Sequence, residues 1–180
     1  MSDPTSGLAT EDLRREHAWI RRALAVLERL GRRLAARRPV EETTLTELVA
    51  LLRRLADQCH HGKEEGHLFP SMRGKGLPPD GRLAALLSAH GEGRDYLGTL
   101  SGLPSLAERA AAALLYVHVT REHLDAEERE VFPVADRLFA PAEQAELARC
   151  YVEMERRTFG PDFRDAVVAE LERLESLVPD

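Results

Sequence analysis

Leu13, His17, Ile20, Leu24, Leu27, Gly31 and Leu34 recur at alternating spacings of four and three residues. With 3.6 residues per turn, that spacing keeps all seven on one face, so the segment from about Thr10 to Arg38 is expected to be a helix with one apolar stripe. A stripe of this length is stable in water only when packed against others. The chain must therefore supply partner helices, and one histidine must sit in their shared interior.

The partners follow in order. Pro39 ends the first helix, and Thr44 with Glu47 suggests a capping box opening a second that carries Leu45, Leu48, Leu51, Leu52, Leu55 and Cys59 towards Phe69. Pro70 and the stretch from Gly74 to Pro79 close it. A third helix starts near Asp80 and puts Leu83, Leu86, Leu87, His90, Arg94 and Leu97 on one side before Ser101-Gly102 interrupts it. The fourth, opened by Pro104 and a Ser105/Glu108 capping box, bears Leu114, Leu115, Tyr116, Val119, His123 and Val131, with Pro133 near its end. Four helices with short connections predict an all-α, up-down four-helix bundle over residues 1–140. Residues 141–180 add two helical patterns, broken at Gly160-Pro161, that contain no histidine. They are read as an extension packed on the same domain or on a partner subunit, with a homodimer in view, and nothing in them speaks to the chemistry.

Composition removes some functions. A chain of 180 residues makes one domain with a real core. Its net charge of −6 gives no basic footprint for nucleic acid or anionic membrane. Paired arginines such as Arg14-Arg15 and Arg37-Arg38 are accompanied by glutamates and read as solvated helix faces. No apolar run is long enough to span a membrane, the stretch from Met1 to Thr10 lacks a secretory signal, and only Cys59 and Cys150 are present. A cytoplasmic protein is expected.

The chemistry lies in an internal repeat. The segment from His60 to Pro70 overlies that from His123 to Pro133, and each copy reads His-x-x-x-Glu-Glu-x-x-apolar-Phe-Pro. Residues four apart stack on one helix face, so each copy can aim an imidazole and a carboxylate at one point. A single HxxxE pair is most simply a wet surface pair, and a single buried histidine is most simply a hydrogen-bonded core residue. Two matching pairs, with His17 and His90 in stripes that are otherwise aliphatic, favour a metal site, because metal ions offset the cost of burying imidazoles and carboxylates together. Within the second helix, periodicity favours His60 with Glu64 over His61 with Glu65. At about 100° per residue, His60 sits about 90° from the centre of the apolar arc and His61 nearly opposite. Neither is ideal, and the helix has room for local distortion near Gly62, such as the bulges found at functional sites.

With these motifs in this order, the chain resembles the hemerythrin and HHE cation-binding family over roughly Leu13 to Leu138. The residues that carry the likeness are His17, Cys-His-His-Gly-Lys-Glu-Glu with Leu-Phe-Pro, Ala-His-Gly-Glu-Gly-Arg, and His123 with Glu127-Glu128 and Phe-Pro. The resemblance implies two non-haem irons in a four-helix bundle, held by histidines and bridged by two carboxylates. Carried over by motif, the candidates are His17, His60 or His61 with Glu64 or Glu65, His90, and His123 with Glu127 or Glu128. The oxygen carriers of the family have two histidines four apart on the third helix, whereas here Arg94 follows His90. An inward His61 restores the count, so the expected ligand set is His17, His60, His61, Glu64, His90, His123 and Glu127.

Imidazole and carboxylate ligands without thiolate suit iron or manganese better than a structural zinc site, and the resemblance favours iron, with manganese or zinc behind it. The resemblance implies a protein that binds or reacts with a small ligand: dioxygen, nitric oxide or peroxide. The alternatives are an iron or redox sensor whose metal is structural, and a metal-free interaction bundle. Tyr116 is a candidate to line a ligand pocket, and Glu65, Glu128 and Arg94 to orient ligands. His67 and His118 are expected in solvent, and Cys59 as a small core residue.

Overall fold

The computed structural model describes residues 8–78, 80–100 and 102–179. The expectations placed on residues 1–7, Pro79 and Ser101 lie outside the described residues. All regular structure among the described residues is helical.

Helix α1 (Ala9–Ala35) buries Leu13, His17, Ile20, Leu24, Leu27, Gly31 and Leu34, the stripe read from its spacing. The second helical run is continuous from 42 to 74 but not uniform. It comprises α2 (Glu42–Leu52), a π-helical segment π1 (Arg53–His61), a second, π2 (Glu64–Leu68), and α3 (Phe69–Gly74). The third element is α4 (Arg82–Leu100), and the fourth is α5 (Leu106–Ala126) continued by π3 (Glu127–Val131) and α6 (Phe132–Leu138). Helix α1 packs on α2 and most extensively on α5, α5 packs on α4, and α4 packs on π1, which closes a ring of neighbours in chain order. Gly31 permits the close approach of α1 to α5: a Cβ there would lie 3.1 Å from the Leu114 side chain.

Two of the π-helical segments, π2 and π3, have a covalent cause in the repeat. Pro70 and Pro133 have no N–H to give the carbonyl four residues back, and their rings clash with it. A wider turn just before each proline relieves the clash, and π2 and π3 end one residue before the Phe-Pro pairs.

The Ser105 capping box forms as read: Glu108 N–H donates to Ser105 Oγ at 3.2 Å, and Ser105 N–H to Glu108 Oε2 at 3.2 Å. The expected Thr44/Glu47 box does not form. Helix α2 starts at Glu42, with Glu41 at its N-cap and no side-chain cap. Thr44 is buried one turn in, and Glu47 is drawn to Arg173 at 2.7 Å. Leu115 and Arg94, read as inward, are exposed.

Helices α7 (Pro141–Phe159) and α8 (Phe163–Leu177) turn on Gly160, whose φ of 93° is the left-handed region that glycine tolerates. Helix α8 buries Phe163, Val167, Leu171 and Leu174 in the same cluster as Ile20, Leu24 and Leu27 of α1 and Leu48 and Leu52 of α2. Each such side chain stabilises the packing by about 1.5–3 kcal/mol relative to solvent exposure.

A second apolar cluster occupies the other end of the bundle, with Leu13, Leu68, Phe69, Leu86, Val131, Phe132 and Tyr151. Along each bundle helix the residues between the two clusters are polar: His17 on α1, His60 and Glu64 on the second run, His90 on α4, and His123 and Glu127 on the fourth. The bundle is thus two dry layers enclosing one charged layer.

Candidate metal centre

All seven residues of the expected ligand set are buried in this layer, His123 the most exposed at 9%. On one side, His17 Nε2 and His60 Nε2 meet at 3.0 Å, and Glu127 Oε2 lies 3.3 Å from His17 and 3.7 Å from His60. On the other, His90 Nε2 and His123 Nε2 meet at 3.0 Å, with Glu127 Oε1 2.9 Å from His123 and 3.8 Å from His90. The two oxygens of one carboxylate therefore face two histidine pairs. Glu64 Oε2 lies between them, 3.7 Å from His60 and 3.5 Å from His90.

His61 completes the second group with His90 and His123. Expected at 100° per residue to point away, it is brought inward because π1 takes more residues per turn, so Cys59, His60 and His61 are buried in succession. His67 is half-buried, with its ring 6.0 Å from that of Tyr151, and His118 is exposed.

These atoms fit cations. Neither oxygen of Glu64 or of Glu127 has a hydrogen-bond partner, nor do His61 Nδ1 and His123 Nδ1. His17, His60 and His90 place Nδ1 against carboxylates, Glu128 at 2.8 Å, Glu16 at 3.1 Å and Glu65 at 2.8 Å. A proton held on Nδ1 leaves a lone pair on Nε2. Two such lone pairs 3.0 Å apart repel unless a proton or a metal ion lies between them, and two nitrogens bound at right angles to one ion at about 2.1 Å would stand about 3.0 Å apart.

The description "Hemerythrin HHE cation binding domain" matches residues 8–135. The chain belongs to the hemerythrin HHE family. Among curated relatives of this hemerythrin-like chain are uncharacterized proteins of Mycobacterium bovis and Mycobacterium tuberculosis, each 27% identical over 180 residues, covering 93% of this chain and 69% of the relative. No solved structure gives a significant match. The family's domain is described as cation-binding, and this chain gathers His/Glu groups whose ligand atoms lie within 4.8 Å of one another.

Each carboxylate behind one of these histidines is in turn held by a cation. Arg21 Nη1 donates to Glu128 at 2.7 Å, Lys63 to Glu16, and Arg94 to Glu65. Arg94 also donates to Asp57 at 2.6 Å, and Asp57 lies 3.9 Å from His61 Nδ1, beyond hydrogen-bond reach. Such outer partners fix ring orientation and raise ligand basicity.

The charges pull in opposite directions. Burial opposes the His60 imidazolium, but the carboxylates of Glu64, Glu127 and Glu16 outweigh it and push its pKa up to about 10. Burial lowers His61 far below the usual histidine value. Burial, then the charge of Glu127, drives Glu64 well above the carboxylate range, whereas the imidazoles ranged around Glu127 overcome burial and hold it well below. The layer is short of positive charge near Glu64, His60 and Glu127.

Sequence reasoning passed over Glu16, Lys63, Glu155 and Arg164. Glu155 of α7 is buried within hydrogen-bond distance of Lys63, at 2.8 Å. Spacing held part of the signal, since Glu16 lies three residues after Leu13 and four before Ile20, within the apolar stripe. Cys59 is the expected small core residue, placed between Glu16 and Glu155.

A small cavity of about 40 Å³ adjoins the second group, lined by His61, Gly93, Tyr116, Val119, Thr120 and His123. Burial raises the Tyr116 phenol far above its ordinary value, so it keeps its proton.

Proposed function

We propose that this protein holds two non-haem iron ions, one at His17 and His60 and the other at His61, His90 and His123, with Glu64 and Glu127 shared between them. At this site it binds or reacts with dioxygen, nitric oxide or peroxide. The observation that carries the reading is Glu127, whose two oxygens face two separate histidine pairs. A donor set of five imidazoles and two carboxylates without thiolate suits iron better than a closed zinc site.

Bound iron supplies Lewis acidity and one-electron redox change. The protein's own groups do the rest. Glu128, Glu16 and Glu65 hold the Nδ1 protons of His17, His60 and His90, keeping each Nε2 inward. The apolar layers around Phe69 and Phe132 and around Leu24 and Leu55 exclude water from the polar layer. The 40 Å³ cavity has room for a ligand of about two heavy atoms, and Tyr116 and Thr120 on its wall offer hydroxyl donors beside His61 and His123. Two free cysteines fit a reducing, cytoplasmic compartment.

The test is metal analysis and absorption spectroscopy of freshly purified protein. Two irons per chain are expected, with an oxo-to-iron charge-transfer band that changes on exposure to dioxygen, nitric oxide or peroxide. Zinc in place of iron, or an iron spectrum indifferent to all three, would overturn the reading.

A further inference from the structure

Helices α7 and α8 lie beyond the family match, which ends at residue 135, yet they are joined to the metal layer by an unbroken chain of charged contacts. Arg164 of α8 donates to Asp12 Oδ1 at 2.7 Å and Oδ2 at 2.8 Å, and to Glu155 Oε1 at 2.6 Å and Oε2 at 3.0 Å. Lys63 Nζ, fully buried, donates to Glu155 Oε2 at 2.8 Å, to Asp12 Oδ2 at 3.1 Å and to Glu16 Oε1. The other oxygen of Glu16 faces His60 Nδ1 at 3.1 Å. Three carboxylates and two cations thus alternate from the C-terminal helices to a single histidine.

The three histidine-backing carboxylates are not equivalent. Glu128 and Glu65, behind His17 and His90, have side chains 32% and 31% exposed and are held by arginines that are also partly exposed. Glu16, behind His60, is 2% exposed and is held by a lysine at 0%. Charge changes near Glu128 or Glu65 are screened by water, whereas changes at Glu155 or Lys63 act through a dry interior of low dielectric. A purely structural staple between α1 and α8 already exists elsewhere, in the bidentate pair of Arg22 with Glu175 at 2.9 and 2.8 Å.

We propose that Glu155 and Arg164 are positioning residues for the ion at His17 and His60. Acting through Lys63 and Glu16, they hold the His60 ring and the charge behind it, so the two ions are inequivalent and the C-terminal helices govern how tightly one of them is kept. This rests on the two-ion reading above.

The experiment compares full-length, iron-loaded wild type with Glu155→Gln, Glu65→Gln and Arg22→Ala, using Mössbauer spectra, iron release to a chelator, and circular dichroism. Glu155→Gln is expected to retain its helicity and both irons. One of its two quadrupole doublets should shift, and one iron should leave about tenfold faster, at the low end of the 10–100-fold effects of outer-layer changes. Glu65→Gln should shift the other doublet, and Arg22→Ala neither. Arg164→Gln, which leaves Lys63 and Glu16 in place, decides the matter should Glu155→Gln not fold. A Glu155→Gln protein with both doublets and both release rates at wild-type values, or one whose only change is the loss of thermal stability seen in Arg22→Ala, overturns the inference alone. A wild-type chain that takes up no pair of ions overturns the two-ion reading, and the inference with it.

Discussion

The imidazole of His61 lies flat on that of His90, with ring centroids 3.7 Å apart and planes 9° from parallel. Because His61 also faces His123, its loss should affect only that side of the layer. His61→Ala is expected to lower iron content from about two per chain towards one and to remove the response to small ligands. His118→Ala, on the exposed face, should change neither. Metal analysis of both variants checks this.

Glu127 serves both histidine pairs, so its removal should not be confined to one side. Glu127→Gln is expected to lose both ions together. Glu128→Gln, which changes only the group behind His17, should bind both with affinity for one reduced about 10–100-fold. Competition against a graded series of chelators separates the two outcomes.

Removing the metals leaves buried carboxylate oxygens on Glu64 and Glu127 without partners. Each ion present at 100 times its dissociation constant stabilises the folded state by about 2.7 kcal/mol, so chelation should lower the melting temperature markedly. Thermal melts followed by circular dichroism, with and without chelator, test this. Loss of helical signal at room temperature on chelation would instead favour a metal whose role is to fold the bundle.

Phe132 is fully buried, with its ring 5.1 Å from that of His17 and the Arg14 guanidinium 5.0 Å above it. Phe132→Ala should cost about 3–5 kcal/mol and leave His17 loosely packed. Denaturant unfolding gives the first effect, and faster iron release the second.

Asp12 supplies a pH dependence. Burial opposes its ionisation, but Lys63 and Arg164 outweigh burial and lower its pKa below the usual 3.8. A carboxyl depressed in the folded state contributes stability above its unfolded value, and that contribution disappears as pH falls through the folded value. Asp12→Asn should therefore melt below wild type at pH 7, with the gap closing below about pH 4. A gap that stays constant down to pH 2 would contradict this account.

Much of the fold was open to reading from the chain alone. The stripe from Leu13 to Leu34, the Ser105/Glu108 cap and the break at Gly160 are local features, written in the spacing of a few neighbours and a glycine's tolerance of positive φ. The repeated His-x-x-x-Glu-Glu with Phe-Pro likewise marked His60, Glu64, His123 and Glu127, since a four-residue step aligns two side chains in any helix. Other features were not local. His61 turns inward only because the backbone widens through π1, and a constant angle per residue cannot register that change. Thr44 and Glu47 have capping-box spacing, yet packing starts the helix earlier and Arg173 claims the glutamate.

By itself, then, the sequence determined four bundle helices and put His17 and His90 in their apolar stripes, because both follow from the 3.6-residue period, while the His-x-x-x-Glu-Glu repeat marked the second and fourth helices. Only the tertiary structure decided that one carboxylate, Glu127, serves two histidine pairs, and that Glu155 and Arg164, from helices that carry no histidine, stand behind His60. Those relationships join residues up to 152 apart in the chain. The second exists because packing buries Lys63 among three carboxylates at once, and a buried ammonium without such partners is strongly destabilising.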